Sequence, residues 1–143
     1  MAQAEIQETL SIDKDRLFGA IVGFEDYPQF VDGCKRVKVD RKADGKTIVT
    51  YFVSMMKDID YTLEHTEDQA KGKVTWKLIS SDFLKKNVGH WEIKEAGPGK
   101  CSVKYVIDIE FNFPVPGFIL GKLVKGTLPS MLKSFEKQAK KKK

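Results

Sequence analysis

The chain has 143 residues, of which 41% are hydrophobic, and its formal net charge is +5. A chain of this length buries roughly 68–70% of the surface that it exposes when unfolded, so we expect one domain over residues 1–143 with a full core. Four positive charges come from Lys140, Lys141, Lys142 and Lys143, and the remainder is nearly neutral. No basic stripe is interleaved with stacking aromatics, which argues against general DNA or other nucleic-acid binding.

The N-terminal sequence and the cysteines suggest where the protein resides. MAQAEIQETL is too polar for the core of a signal peptide, and no run approaches the ~20 apolar residues that cross a bilayer. Cys34 and Cys101 have no CxxC or Cys/His ligand spacing around them, which predicts free, buried thiols in a reducing compartment. We therefore expect a cytoplasmic protein with no metal site and no cofactor.

The first third of the chain predicts one strand and two helices. Apolar and polar residues alternate from Ala4 to Ile12, although Glu8 falls on the apolar face. Asp13 is placed to cap a helix that ends near Gly23. A second short helix is predicted over residues 25–31, because Pro28 suits a first helical turn, and it should end at Gly33.

From residue 36 onward the pattern predicts a meander of strands over 36–42, 46–56, 58–68, 72–82, 88–95 and 100–113, separated by turn sequences. Alternation places one apolar set on the inner face: Ile59, Tyr61, Leu63, Val74, Trp76, Leu78, Trp91 and Ile93. The strand 46–56 is apolar on both faces, and we favour Val49, Tyr51, Val53 and Met55 over Ile48, Phe52 and Met56 as its inner set.

The last quarter of the chain predicts a long strand followed by a long helix. The odd positions from Cys101 to Phe113 are apolar and most even positions are polar, which is typical of a half-buried antiparallel strand. After residues 114–117 the apolar period changes to three or four, as on one face of a helix: Leu120, Val124, Leu128, Met131, Phe135 and Ala139. The predicted fold is α+β, with the helices covering one face of a curved sheet of about seven strands.

This element order, together with three local stretches, resembles the START-like, helix-grip (SRPBCC) superfamily of polyketide cyclases, lipid-transfer domains and birch-pollen-allergen-like proteins. The stretches are 12–38, whose EDYPQFVDGCKRVK is followed by Val39, then SSDFLKKNVGHWEI over 80–93, and 101–113. Tyr27, Pro28, Phe30 and Cys34 fit a Tyr-Pro-x-Phe helix followed by a cysteine. Phe83, Gly89 and Trp91 fit a second passage of the coenzyme Q-binding and ribosome-association-toxin branch, to which the resemblance is nearest.

The chain departs from that branch at three places. Asp32-Gly33 replaces the usual Pro-Trp before the cysteine, and Asp82 replaces a glycine. Pro129 lies within the predicted last helix, where it removes a backbone hydrogen bond and is expected to produce a kink. These departures concern the ligand or partner more than the fold.

The residues offer little for catalysis, and we assign no catalytic residue. His65 and His90 read as surface strand histidines, and Asp58, Asp60 and Glu64 read as a solvated sheet face. Asp108 and Glu110 are interpreted in the same way. Glu8 is the exception: an inward carboxylate among apolar side chains could orient a ligand, whereas a register error would place it outside.

The resemblance implies a binding protein for a hydrophobic small molecule such as a lipid, an isoprenoid quinone or a polyketide-like compound, held between the sheet and the last helix. It also implies delivery of that molecule to or from a membrane. The candidate ligand-binding residues are Glu8, Tyr61, Trp76, Trp91, Tyr105, Ile107, Phe111, Leu120, Val124 and Met131. A ribosome-associated translation regulator and a cyclase or aromatase-type enzyme are the alternatives. The lysines at 140–143 are candidate contacts with an anionic membrane or a partner such as the ribosome.

Overall fold

The computed structural model describes residues 2–31, 34–42, 45–55, 57–114 and 128–141. Its seven strands form one antiparallel sheet in the order β1-β7-β6-β5-β4-β3-β2. The strands are β1 (Ala2–Leu10), β2 (Cys34–Arg41), β3 (Lys46–Met55), β4 (Lys57–Asp68), β5 (Lys73–Ser80), β6 (Leu84–Glu95) and β7 (Cys101–Phe111). β2 to β7 are the predicted meander, and the N-terminal strand β1 pairs with β7.

Within the described residues, three helices accompany the sheet. Helix α1 (Lys14–Val22) begins where the Asp13 side chain accepts a hydrogen bond from the Arg16 amide at 2.8 Å, and its C-cap is Gly23, as predicted. A 3₁₀ turn (Phe24–Asp26) leads into the short helix α2 (Tyr27–Phe30), which carries Pro28 in its first turn. Helix α3 is described over Leu128–Lys141.

The inner face of the sheet is the one that the alternation predicts. Val49, Tyr51, Ile59 and Leu63 are buried, so the favoured set of β3 is confirmed where its side chains are described. Val74, Trp76, Trp91 and Ile93 are also buried. The side chain of Met55 and the whole of Met56 lie outside the described residues.

Helix α3 packs on this inner face through aromatic contacts. The Phe135 ring lies 5.0 Å from Trp91, 5.0 Å from Phe30 and 5.3 Å from Tyr27, measured between ring centroids. Leu128, Phe135 and Ala139 are buried, as predicted. Met131 of the predicted stripe is only partly buried, and Leu132, which was not part of that stripe, is buried instead. The helix therefore rotates slightly relative to the predicted apolar stripe.

Two polar contacts hold α3 to the elements beside it. The Ser11 amide donates to Glu136 Oε2 at 2.7 Å, and Arg16 Nη2 donates to the Lys140 carbonyl at 3.1 Å. Ser11 follows β1 and Arg16 belongs to α1, so the C-terminal half of α3 lies where β1 ends. Leu120, Val124 and Gly33 lie outside the described residues. The residues before Leu128, on which the predicted kink at Pro129 depends, lie outside them as well.

Candidate functional site

The two ends of the sheet differ in how completely its inner face is covered. Five inward side chains near the β2–β3, β4–β5 and β6–β7 turns are only 0–1% exposed: Val49, Val74, Ile93, Cys101 and Val103. Toward the opposite end Ile59 and Ile109 are buried, but five side chains are only half-buried, and we call them the half-buried row: Val53, Tyr61, Leu78, Ile107 and Phe111. We call the first the closed end and the second the open end.

A cavity of about 420 Å³ lies at the open end, where β2 begins, β3 ends and β4 begins. Its walls combine apolar side chains with charged ones: Lys35, Arg36, Phe52, Val53, Asp58, Ile59, Asp60 and Phe83. Lys35 Nζ lies 2.9 Å from Asp58 Oδ1 and lowers the pKa of that carboxyl group, and the Arg36 guanidinium stacks 4.0 Å from the Phe52 ring centroid. Ser81 Oγ donates to the Asp60 carbonyl at 2.8 Å and so ties the β5–β6 connection to this region.

The interior contains a buried histidine that forms a pair with a tyrosine. His65 is 5% exposed, and its Nε2 lies 2.8 Å from the Tyr51 hydroxyl. Phe24 covers the imidazole at a centroid distance of 4.5 Å. Burial lowers the pKa of His65 to about 4, because a charged imidazolium has lost its solvation there. The ring is therefore neutral at physiological pH, and its Nδ1 has no hydrogen-bond partner among the described residues.

A second buried polar pair joins β5 to β6. Trp76 Nε1 donates to Asn87 Oδ1 at 2.9 Å, and Asn87 is almost fully buried. Gly89 lies directly opposite Trp76 in the sheet. A Cβ at Gly89 would lie 2.5 Å from Trp76 Cζ2, so the missing side chain makes room for the indole ring.

The inner tyrosines add hydroxyl groups without adding charge. Burial raises the pKa of Tyr51, Tyr61 and Tyr105, so these phenols stay protonated and can donate hydrogen bonds. Burial also raises the pKa of Cys34 and of Cys101 to about 11, which keeps both thiols unreactive. Both cysteines are free and buried, as the sequence predicts.

Most of the candidate ligand-binding residues fall on the inner face, in different states of burial. Trp76, Trp91 and Tyr105 are buried, and the Tyr105 ring contacts both indoles, at centroid distances of 5.4 Å from Trp76 and 4.8 Å from Trp91. Tyr61, Ile107, Phe111 and Met131 are half-buried. Leu120 and Val124 lie outside the described residues.

Glu8 lies apart from the open end. It is half-buried and pairs across the sheet with Val103 of β7, near the closed end. The predicted inward register of Glu8 is therefore correct, but the structure separates its carboxylate from the cavity.

Two sequence interpretations of polar strand residues were wrong. His65 is not a surface residue, because it shares the inward parity of Tyr61 and Leu63. Asp108 is not simply solvated: it is 8% exposed and its Oδ2 lies 2.8 Å from Lys86 Nζ, which reaches over it from the neighbouring strand. Asp58 and Asp60 are exposed, as expected.

The sequence analysis also overlooked Asn87 as an inward group. Its position two residues before Gly89 and four before Trp91 gives it inward parity, and this alternation was the signal that could have located it. The predicted strand began at residue 88 and so left Asn87 out, whereas β6 begins at Leu84.

The lysine tip lies at the closed end of the sheet. Lys140 and Lys141 are exposed in the last turn of α3, and Lys142 and Lys143 lie outside the described residues. No helix within the described ranges is long and apolar enough to cross a membrane.

Residues 10–136 match the family model described as polyketide cyclase/dehydrase and lipid transport. The chain belongs to this family. It is also 22% identical over 129 residues to the ribosome association toxin RatA of Escherichia coli K12, which covers 88% of this chain and 79% of that protein.

Solved structures of other proteins share the fold of this chain. A START superfamily protein from Mycobacterium smegmatis superposes with a TM-score of 0.83 at 19% identity, over 99% of both chains. The Zhui aromatase/cyclase from Streptomyces sp. R1128 superposes with a TM-score of 0.77 at 13% identity, over 97% of this chain and 93% of that one. The fold is therefore START-like, as the resemblance implied, and the chain is a member of the SRPBCC superfamily.

Proposed function

We propose that this protein binds a neutral, hydrophobic small molecule that enters at the open end and lies between the sheet and the C-terminal helix. The observation that carries the proposal is the difference in burial between the two ends of the inner face. A domain of the START and polyketide cyclase type is built to bind a hydrophobic ligand, and family and fold support that coarse assignment here.

The half-buried row supplies the affinity in this proposal. Leu78 and Ile107 leave apolar surface uncovered at the open end, and covering it stabilises a complex by about 25 cal/mol per Å². The cavity of about 420 Å³ adjoins this surface at Val53, but outer-face side chains such as Phe52 and Asp60 form most of its walls, so it is a neighbouring surface depression rather than the proposed site. The five closed-end side chains leave almost no such surface uncovered: Val49, Val74, Ile93, Cys101 and Val103.

The polar groups of the interior favour an uncharged ligand. The Tyr61 and Tyr105 hydroxyls are protonated, and the imidazole of His65 is neutral. An ionised ligand buried against these groups would lose its hydration without gaining an opposite charge. A hydroxyl or carbonyl group on an apolar body would instead accept or donate one hydrogen bond, which would fix its orientation.

Two neighbouring residues of β5 provide a matched test. Leu78 is half-buried on the inner face, whereas Ile79 is 49% exposed on the outer face. L78W should fill the entrance and prevent uptake, while I79W should leave it open. Native mass spectrometry after incubation with a lipid extract of the host measures the fraction of protein that carries a bound molecule.

We expect the wild type and I79W to retain the same ligand and L78W to lose most of it. If L78W does not fold, the smaller change L78F replaces it, and folding is checked by circular dichroism. Equal occupancy in folded L78 variants and in I79W would contradict an entrance at the open end.

The proposal does not give His65 a catalytic role. Phe24 and Tyr51 enclose the imidazole, and its low pKa makes it a weak base. A cyclase or aromatase-type activity would require a proton-transfer group in contact with the ligand, so carriage of the ligand, to or from a membrane or an enzyme, is the function we favour.

Contact with the ribosome is a second candidate function. The similarity to RatA motivates it, and the distribution of lysines on α3 supports it. Co-sedimentation of the purified protein with ribosomes at low and high salt tests it directly, since a contact through lysines weakens as salt increases.

A further inference from the structure

Helix α3 presents a row of lysines opposite its buried face. Lys133, Lys137, Lys140 and Lys141 are all exposed, and we call them the lysine ridge. At 3.6 residues per turn these positions fall within an arc of about 100°. Leu132 and Phe135 belong to the stripe on the other side of the helix, which packs on the sheet.

The charges beside the ridge leave it strongly positive. Glu136 is the acidic residue of α3, and its carboxylate accepts a hydrogen bond from the Ser11 amide. Asp15 is exposed on α1, beside Arg16, whose guanidinium donates to the Lys140 carbonyl. Each lysine of the ridge adds a mobile ammonium group that can reach an anionic partner.

We propose that the lysine ridge binds the phosphate backbone of RNA. The ridge extends for about 12 Å along the helix, and Lys133 and Lys137 are about 6 Å apart along its axis. This spacing is comparable to the separation of successive phosphates along a nucleic-acid strand, so several lysines can contact neighbouring phosphates together. Phosphate contacts of this kind give affinity and register without reading sequence.

The surroundings of the ridge favour RNA over a lipid surface. Ser130 and Ser134 lie beside the lysines, and the large apolar side chains of α3 face the sheet, so the ridge offers no group to insert among acyl chains. The ridge also continues to the closed end. A membrane bound there would lie far from the open end, where the proposed ligand enters.

This inference rests on the second candidate function and deepens it, and only the preference for RNA over a membrane draws on the proposed entrance at the open end. It also departs from the expectation from the sequence, which argued against general nucleic-acid binding and considered only residues 140–143 as a basic tip. Lys133 and Lys137 become part of the surface because the helix brings them into line with Lys140 and Lys141.

A pair of charge-matched variants tests the inference. K133Q/K137Q/K140Q/K141Q removes the ridge, and K38Q/K46Q/K85Q/K100Q removes the same number of exposed charges from the strands and the β6–β7 turn. Glutamine keeps nearly the same helix propensity as lysine, so both proteins should fold. The probes are a fluorescein-labelled RNA hairpin of about 30 nucleotides, intact ribosomes, and phosphatidylcholine vesicles that contain phosphatidylglycerol.

Fluorescence anisotropy should show wild-type affinity for the RNA hairpin falling about 50- to 150-fold between 50 and 200 mM salt, as four phosphate contacts require. The ridge variant should bind about tenfold or more weakly at low salt and lose most of that salt dependence, and the strand variant should resemble the wild type. Equal losses in both variants would mean non-specific attraction and overturn the inference. Binding to vesicles but not to RNA would overturn it in favour of a membrane.

The ribosome experiment separates the two proposals. Co-sedimentation that is lost only in the ridge variant supports both of them. Co-sedimentation that is unchanged in the ridge variant keeps the ribosome function and overturns the ridge as its contact surface. Absence of wild-type co-sedimentation together with ridge-dependent RNA binding leaves the RNA surface in place without the ribosome.

Discussion

At the scale of single residues, the interior depends on a few positions where size or protonation state is fixed. Gly89 leaves room for the Trp76 indole, and the indole Nε1 donates a hydrogen bond to the side-chain amide oxygen of Asn87. A buried amide oxygen without a donor costs about 1–3 kcal/mol, so the three residues act as a unit. The unit stabilises the centre of the sheet next to the proposed ligand.

Gly89→Ala should therefore destabilise the protein strongly. Its Cβ would press on Trp76 and on the Val106 carbonyl, and overpacking of this kind typically costs about 1–3 kcal/mol. Gly19→Ala is the matched control, because a Cβ there meets nothing within 4 Å in an exposed part of α1, and alanine in a helix gains about 1 kcal/mol. Urea denaturation measures both, and equal effects of the two changes would contradict the role of Gly89.

His65 predicts how stability depends on pH. The folded imidazole has a pKa of about 4, below the ordinary value near 6.5, so the unfolded chain binds a proton more readily. The contribution of the neutral ring to the free energy of unfolding is complete above pH 6.5 and is lost as pH falls from 6.5 to 4. This difference between the folded and the unfolded pKa of His65 corresponds to roughly 3 kcal/mol of unfolding free energy.

Urea unfolding at pH 7.5, 6 and 5 should reveal this loss. Y51F/H65F replaces both members of the hydrogen-bonded pair with apolar rings and should show a smaller decrease across the same range. An identical decrease in the wild type and the double variant would assign the acid sensitivity to other groups.

At the scale of secondary-structure elements, alternation and capping predicted most of what the structure contains. Period-2 patterns located the inner face of β4 and β5, and Asp13 located the start of α1. Polar residues on inner positions were harder to place. His65 and Asn87 follow the alternation, but their partners Tyr51 and Trp76 come from adjacent strands, and pairing across strands is not visible in one segment.

The N-cap of α1 offers a test at this scale. Asp13→Ala removes the acceptor for the Arg16 amide and should lower the free energy of unfolding by about 1 kcal/mol. Asp15→Ala, an exposed change in the same first turn, should lower the free energy of unfolding by only about 0.3 kcal/mol. Thermal denaturation of the two variants is sufficient, and a loss at Asp15 as large as that at Asp13 would contradict the capping role.

At the scale of the whole molecule, the order of elements and the sequence resemblance predicted the START-like fold, and the comparisons confirm it. The location of the site could not be predicted in the same way. Leu78 and Val74 are both inward apolar residues of β5, yet only Val74 is fully covered. That difference depends on where the helices lie over the sheet, which the pattern of one strand does not contain.

The two proposed surfaces, one for the ligand and one for RNA, lie at opposite ends of the sheet. The half-buried row lies at the open end, whereas Lys140 and Lys141 lie at the closed end. A ligand and an RNA strand could therefore bind at the same time without competing for the same residues.

The central claim is that a neutral apolar molecule binds at the open end, and methyl NMR tests it most directly. Spectra of the methyl-labelled protein are recorded before and after addition of the molecule released from the host-purified protein or taken up from a host lipid extract. We predict shifts at Val53, Leu78 and Ile107 and little change at Val49, Val74 and Ile93. Shifts confined to the closed end, or no shifts at saturating extract, would contradict the proposed site.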